Sequence, residues 1–569
     1  MKKMNTMNCS LSKLTVAVSL AFATTAAFAQ SVPNIGDALR QAQPPVVPAQ
    51  PAPALPQVGG TQPIEAPMTA LPNGPKVEVK RLEIVGNRVI DTATLGALVA
   101  DGAGKTLTLT ELENLAQRLT KHYRAHGYFV ARAYIPAQEV TGGTIKIRVV
   151  EGNYGRFHLK NQSLVNNNIV QGMLDDVKHY DIVSLDTLER AMLIINDTPG
   201  VQVTRADVMP GEKVGTSDFA VDTVATPRYA GYLMLDNYGS IYTGRDRVSF
   251  NVDDNSISGH GDRLSVSGLG TNSGGLENGR VGYSVPLAYN GLRGEIAYSK
   301  TKYQLGNTYA PLEATGTAKA TDATLTYPIR RIRAQTVEAS LNVSYKSLED
   351  KVQSTHTITP KTSTSATAGL SIRDERTVCG FDGLTRVSVN VTFGQLNIKD
   401  ATALTADAAG AQTQGDYSKF VASLERVSLL PKSFTLTTSL KLQQSLNSKN
   451  LDGSERMAVS GSGAVMAFPS GELIGSDATL VHADLARPLP TVGKLQSNWL
   501  VFADWGNAKA ANPLPSDVNR NISDAGFGWS ANYGGALIHA YLAHRLSAIP
   551  AQSEPYATNK LLVQAGWVF

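Results

Sequence analysis

The sequence predicts a transmembrane antiparallel β-barrel of about sixteen strands, preceded by two small α+β modules and a tethered N-terminal helix. Three observations predict it: a secretory leader, a change from helical to alternating periodicity near Tyr229, and a last strand that ends on aromatic residues. The leader comes first. Lys2, Lys3 and Lys13, an apolar run from Leu14 through Phe28, and Ala27-Phe28-Ala29 before Gln30 have the order of a cleavable signal over residues 1–29. Its removal takes away three lysines and no acids, so the formal charge falls from +4 to +1 and no nucleic-acid partner is expected. Cys9 lies inside the signal without the small-residue pattern of a lipoprotein site, which leaves Cys379 alone and allows no internal disulfide. After the signal no run of about 18 apolar residues occurs, so membrane crossing falls to strands.

Residues 31–43 suit a short helix with Ile35, Ala38, Leu39 and Ala42 on one side, too short to be stable unaided. Ten prolines between Pro44 and Pro75 give an extended linker that cannot build a core. Order resumes with a strand at Val77, Val79, Leu82 and Ile84 and a helical pattern at Leu95, Leu98 and Val99. Thr108 and Glu111 form a capping box, Leu112, Leu115, Ala116, Leu119 and Tyr123 recur at helical spacing, and Gly127 supplies the stop. Strands over 129–135 and 144–150 complete the unit. The same order reads again from Arg156 to about Val224, with Leu185, Leu188, Met192 and Ile195 on a helix face.

From Tyr229 the chain turns to short alternating runs split by Gly, Asn, Asp and Ser, and helices are no longer expected. Phe434, Leu436, Thr438, Leu440 and Leu442 alternate with a polar set containing Lys441, which is costly in lipid and harmless in a wet lumen. Trp499, Val501, Ala503 and Trp505 alternate with Asn498, Leu500, Phe502 and Asp504. The remaining 341 residues accommodate about sixteen strands of about 9 to 11 membrane-crossing residues each. In the last nine residues, Leu561, Val563, Ala565, Trp567 and Phe569 are apolar, while Gln564 and Gly566 take the other face. Trp567 and Phe569 form the terminal aromatic signal that barrel-assembly machinery reads, so that machinery and membrane lipid are expected partners.

This order resembles the two-partner secretion transporters, the haemolysin-activator or filamentous-haemagglutinin exporter family. Gly127-Tyr128-Phe129-Val130-Ala131-Arg132-Ala133-Tyr134-Ile135-Pro136 and Ile147-Arg148-Val149-Val150-Glu151-Gly152 resemble its first POTRA (polypeptide-transport-associated) domain. Leu188-Glu189-Arg190 and Asn196-Asp197-Thr198-Pro199-Gly200-Val201 resemble the second. Leu235-Asp236-Asn237-Tyr238-Gly239 with Tyr242-Thr243-Gly244-Arg245, then Tyr283-Ser284-Val285-Pro286-Leu287, then Lys449-Asn450-Leu451-Asp452, are similar to its barrel strings. The expected division is a signal at 1–29, a plug helix at 30–43 carried by Ile35 and Leu39, a Pro-rich linker at 44–76, POTRA domains at 77–152 and 153–224, and the barrel at 225–569.

Phe502-x-Asp504-x-Gly506 is similar to the family's inner-wall motif. Val465-Met466-Ala467-Phe468-Pro469-Ser470-Gly471-Glu472 stands where the family carries a Val-Arg-Ala/Gly-Tyr/Phe motif on a loop folded into the lumen. The family's arginine, which pairs with the wall aspartate, is here Met466. The expected loop-to-wall set is therefore Met466, Phe468, Pro469, Gly471, Phe502, Asp504 and Gly506, held mainly by packing. Asp504 is left to hydration or to another base such as Arg456, Arg487 or Lys441.

The resemblance implies a monomeric outer-membrane transporter, its N-terminal domains periplasmic, that secretes and can activate one large unfolded exoprotein: an adhesin, haemolysin, toxin or haem-binding protein. The alternatives are a barrel insertase of the same superfamily and a passive porin, which has no use for two periplasmic domains. No phosphate loop and no His-Glu-x-x-His appears, so neither cofactor nor metal is expected. A barrel hydrolase would draw on His482 and Asp484, but no Gly-x-Ser-x-Gly elbow accompanies them, and no enzyme is expected.

Overall fold

The structure is a computed structural model and describes residues 32–44, 58–59, 76–514, 519–554 and 558–569. The signal and most of the Pro-rich stretch lie outside the described residues. The helix α1 (Ile35–Gln41) begins at a capping box in which Asn34 accepts from Gly36 N and Asp37 answers the cap's own N–H.

The first module is built on two short sheets. Lys76–Val79 pairs with Lys105–Thr108, a strand the periodicity did not announce, and Arg81–Val85 runs parallel to Thr144–Val150. Helix Leu109–Ala125 starts at the expected Thr108/Glu111 box and buries Leu112, Leu115, Ala116, Leu119 and Tyr123. The strand expected over 129–135 shrinks to Arg132–Tyr134. Gly127 turns the chain at φ +87°, and Phe129 and Val130 then pack on the core of the second module.

That module has strand Asn153–Gln162, helices Asn167–Asp175 and Leu185–Asn196, and strands Gln202–Pro210 and Thr216–Val224. The backbone of Val58–Gly59 in the linker pairs parallel with Ala206 and Asp207 on the edge of its sheet. Arg331 donates to Asp197 at 2.7 Å and Arg190 to the carbonyl of Asn290 at 3.2 Å, which fixes this module beneath the barrel's periplasmic turns.

Sixteen antiparallel strands close the barrel. They are β1 Tyr229–Asp236, β2 Arg247–Asn255, β3 Arg263–Thr271, β4 Leu276–Pro286, β5 Arg293–Gln304, β6 Ala314–Ile332, β7 Gln335–Val352, β8 Thr357–Asp374, β9 Gly383–Ile398, β10 Gly415–Leu430, β11 Phe434–Leu446, β12 Asp477–Pro488, β13 Gln496–Lys509, β14 Arg520–Tyr533, β15 Ala536–Arg545 and β16 Asn559–Val568. Their lengths run from 8 residues in β1 to 19 in β6, so the middle strands extend well past the membrane. The barrel part is not free of helix. Asp400 caps Ala401–Ala409 in the loop after β9, where an alanine-rich run forms a helix that alternation could not show.

Closure joins the two ends. β1 pairs with β16, and Gly231 and Phe569 exchange backbone hydrogen bonds of 2.9 and 3.0 Å. Leu561, Trp567 and Phe569 point to lipid while Leu562 and Gln564 are buried inside, the alternation expected of the last strand.

Candidate functional site

Residues 447–476, between β11 and β12, fold into the lumen and fasten to opposite walls. At the root, Glu455 meets Lys346 of β7 at 2.6 Å and Lys419 of β10 at 2.8 Å, and Asp452 meets Lys361 of β8 at 2.8 Å. Burial opposes the charge on Asp452, but the Lys361 ammonium and the hydrogen bonds from Ser454 outweigh it and lower its carboxyl to about 2. Asn450 donates to the carbonyls of Ala411 and Asn512, so the string 449–452 serves as the loop's footing.

The tip lies against β13 to β16. Val459, Met466, Phe468, Phe502, Ile522, Ala543 and Leu562 form one apolar cluster in which Phe468 is fully buried. At Gly506 a Cβ would stand 2.8 Å from Val459, which explains the glycine of the wall motif as room for the loop. Gly471 has φ +82° at the tip's turn, and Pro469 accepts there from Glu472 N. Met466 and Phe468 are both buried in this cluster.

The polar part differs from expectation. Asp504 is met by His482, whose Nδ1 lies 2.6 Å from Oδ1, while Nε2 lies 3.1 Å from Asp484. Of the bases expected for it, Arg456 donates to Leu451 O and Arg487 lies over the ring of Phe434. His482, Asp504, Asp524 and Arg545 stand in direct register on β12, β13, β14 and β15. Two like charges side by side on a sheet are unfavourable, and here a base flanks the pair on either side. Asp524 Oδ2 also accepts from the loop's Ala467 N at 2.6 Å. A main-chain donor therefore does at this point what a side chain at 466 cannot.

The loop's ion pair to the wall exists, with its polarity reversed. Glu472 on the loop meets Arg520 on β14 at 2.6 Å, and the Glu472 side chain is wholly buried. Gln552 N and Ser553 N donate to the same carboxylate, and the Arg520 guanidinium covers the ring of Phe468 at 5.8 Å. Neither residue was expected as a site residue. The one carboxylate in the string 465–472 was the available signal, because a buried acid calls for a base.

The helix α1 lies in the same lumen against β5, β6 and β7. Ile35 and Ala38 are buried among Tyr242, Leu276, Tyr303, Ala318 and Leu348, with Leu39 packed at the edge. Ile35 N donates to Asp350 at 2.8 Å, and Arg247, itself paired with Asp236 at 2.7 Å, donates to Gln41 O at 2.6 Å. Thr243 donates to the Gln41 side chain, so the strings around 235–245 hold the helix's C-terminal end. One face of the helix rests on the loop along its length: Arg40 in the last turn donates to Gly453 O, and at the N-terminal end the backbones of Gly36 and Gly453 touch. Between helix, loop and wall remains a cavity of about 1170 Å³ that reaches Lys346, Lys441, Glu455 and His482.

A closed barrel fed by periplasmic α+β modules, its lumen held by an anchored loop and a tethered helix, defines a POTRA-barrel transporter of the outer membrane. The chain belongs to the haemolysin secretion/activation protein ShlB/FhaC/HecB family, whose model matches residues 215–530, and a ShlB-type POTRA model matches residues 77–152. Among relatives, it is 27% identical to the heme/hemopexin transporter protein HuxB of Haemophilus influenzae over 452 residues, 79% of each chain. It is 22% identical to the outer membrane transporter CdiB of Dickeya dadantii over 76% of this chain and 77% of that one. The solved structure of CdiB from Escherichia coli superposes with a TM-score of 0.73 over 94% of this chain and 95% of that one, at 17% identity. CdiB from Acinetobacter baumannii gives 0.63 over 91% and 95%, at 14% identity. The protein is accordingly an outer-membrane transporter of the two-partner type, which exports a partner protein from the periplasm.

The wall and the tip differ in expected sensitivity. Asp504→Asn should leave secretion within a few fold of the parent, because an amide oxygen still accepts from His482 while its NH2 can donate to Asp524. Phe468→Ala should lower secretion further, since emptying a fully buried aromatic site costs about 3–5 kcal/mol. Met466→Arg should be accepted, as it brings a guanidinium to two neighbouring carboxylates. A secretion assay with barrel levels checked by heat-modifiability decides, and near-total loss with Asp504→Asn at normal levels would show that the carboxylate itself is required.

Proposed function

We propose that the chain secretes one large exoprotein, delivered unfolded, that the modules at 77–152 and 153–224 capture and the barrel at 225–569 passes outward once the plug at 30–43 leaves. The observation that carries this is the filling of the lumen by two elements of different attachment. The loop is rooted in both walls, whereas α1 is seven residues long and joined to the rest by a proline-rich tether. The pairing of Val58–Gly59 on the edge strand Gln202–Pro210 supports capture by strand addition, since that edge takes an extended segment of the same chain. The linker would yield it to cargo. Relatives named for heme/hemopexin transport make a haem-scavenging exoprotein the first cargo to test. No catalytic step is assigned, because both ring nitrogens of His482 are engaged by carboxylates and neither is left to activate a serine.

Exchanging residues 77–224 for those of another exporter should move cargo choice with them. A chimera that still secretes the original cargo and rejects the other's would overturn the role given to the modules.

A further inference from the structure

On the outward face of the barrel, two glycines and two lysines form one in-register row; Gly268 makes room for the Phe250 ring, 2.6 Å from where its Cβ would stand, but the protein's own packing does not explain Gly279 or the paired lysines. Phe250 stands opposite Gly268, Gly268 opposite Gly279, Gly279 opposite Lys300, and Lys300 opposite Lys319. The face is set by alternation: Val266, Val281, Ile296 and Tyr298 are exposed, while Ala297 and Ala318, their neighbours in parity, are buried.

Glycine inside a strand weakens it, and often marks a bulge or the close approach of another molecule. At Gly270 and Gly279 a Cβ would meet nothing within 4 Å and the φ is ordinary, so nothing in the protein excludes a side chain there. Their absence leaves a surface hollow of about 1110 Å³ lined by Phe250, Gly268, Gly270, Gly279, Val281 and Tyr298.

Lys300 stands opposite Gly279 at the rim of this hollow, and Lys319 stands opposite Lys300 on the next strand. Two ammonium groups directly opposite on one face are unfavourable, both side chains are exposed, and no carboxylate among the described residues forms a salt bridge with either. Glu277 stands opposite Lys302, one step further along. Because β1 leaves the periplasmic module, β5 runs outward, and Lys300 lies one side-chain step beyond the exposed Tyr298. That is the level at which an aromatic belt meets the headgroups of the outer leaflet.

We propose that this face binds a phosphorylated lipid of the outer leaflet, with phosphate held between Lys300 and Lys319 and an acyl chain laid in the glycine hollow. The phosphate supplies the anion the lysine pair lacks, and the chain covers the surface left open at Gly270 and Gly279. The lipid would brace β2 to β6, the part of the wall whose inner side seats α1.

The test uses the full-length protein in detergent, with bisphosphorylated lipid A, its dephosphorylated form, and inorganic phosphate as probes. Native mass spectrometry reads retention, and heat-modifiability reads the unfolding midpoint. Lipid A should be retained and raise the midpoint, its dephosphorylated form should bind about tenfold less, and inorganic phosphate should do neither. The variant Lys300→Gln with Lys319→Gln should lose most of the retention. So should Gly279→Leu, which fills the hollow at an open position where folding is not threatened. Equal retention of both lipid forms, equal retention by either variant and the parent, or full competition by inorganic phosphate would overturn the proposal.

Discussion

Replacing Gly36 with leucine is expected to open the resting pore. A Cβ at Gly36 would stand 2.7 Å from Ser454 N and closer still to the carbonyl group of Gly453, all of it backbone in a loop rooted by Asp452 and Glu455. Backbone so fixed cannot give way, so α1 must leave its seat. The change is otherwise favourable to the helix, because glycine is about 0.8–1.0 kcal/mol worse than alanine in a helix interior and leucine ranks just behind alanine. Loss of seating is thereby separated from loss of helicity. Single-channel conductance in planar bilayers should rise to the level reached by deleting residues 31–43, with secretion kept within a few fold. Unchanged conductance would mean that the helix does not obstruct the lumen.

Breaking the Glu472–Arg520 pair is the second change with a large expected effect. Removing one partner of a buried ion pair costs about 3–5 kcal/mol, because the other charge stays buried without it. Here Glu472→Ala removes the acceptor of Arg520 and of two main-chain N–H groups together. Arg520→Met leaves the carboxylate with those N–H donors, so its effect should be smaller. Glu472→Ala should bring secretion near background at normal barrel levels and expose residues 459–472 to added protease. Glu472→Gln should fall between Glu472→Ala and the parent. A loop that stays protected and a secretion level within a few fold of the parent would show that packing of Phe468 alone suffices.

Much of the fold was legible because its signals are local. Capping at Thr108, the helical spacing through Tyr123, and the alternation ending at Phe569 depend on neighbours in sequence, and the structure has each of them. What was missed depends on register. The row His482, Asp504, Asp524, Arg545 joins four strands, and no local pattern says which residues stand opposite. The same holds for Arg520, 48 residues from Glu472. Met466 was readable as a lost donor, yet the compensation lay in main-chain hydrogen bonding at Ala467 and in a pair of opposite polarity. The shortened strand at Arg132–Tyr134 has a tertiary cause, since Phe129 and Val130 serve the neighbouring core.

The central claim is that the exported chain takes the path α1 occupies at rest, and locking the helix tests it most directly. A Cβ at Gly453 would lie 2.9 Å from Oδ1 and 3.6 Å from Cγ of Asn34, which brings the two Cβ positions within reach of a disulfide. In a Cys379→Ser background, Asn34→Cys with Gly453→Cys should bridge in the oxidising cell envelope. Secretion of the partner should then fall to background in proportion to the bridged fraction and return on mild reduction. Undiminished secretion by fully bridged protein would contradict the account, because the cargo would then be crossing with the helix still in place.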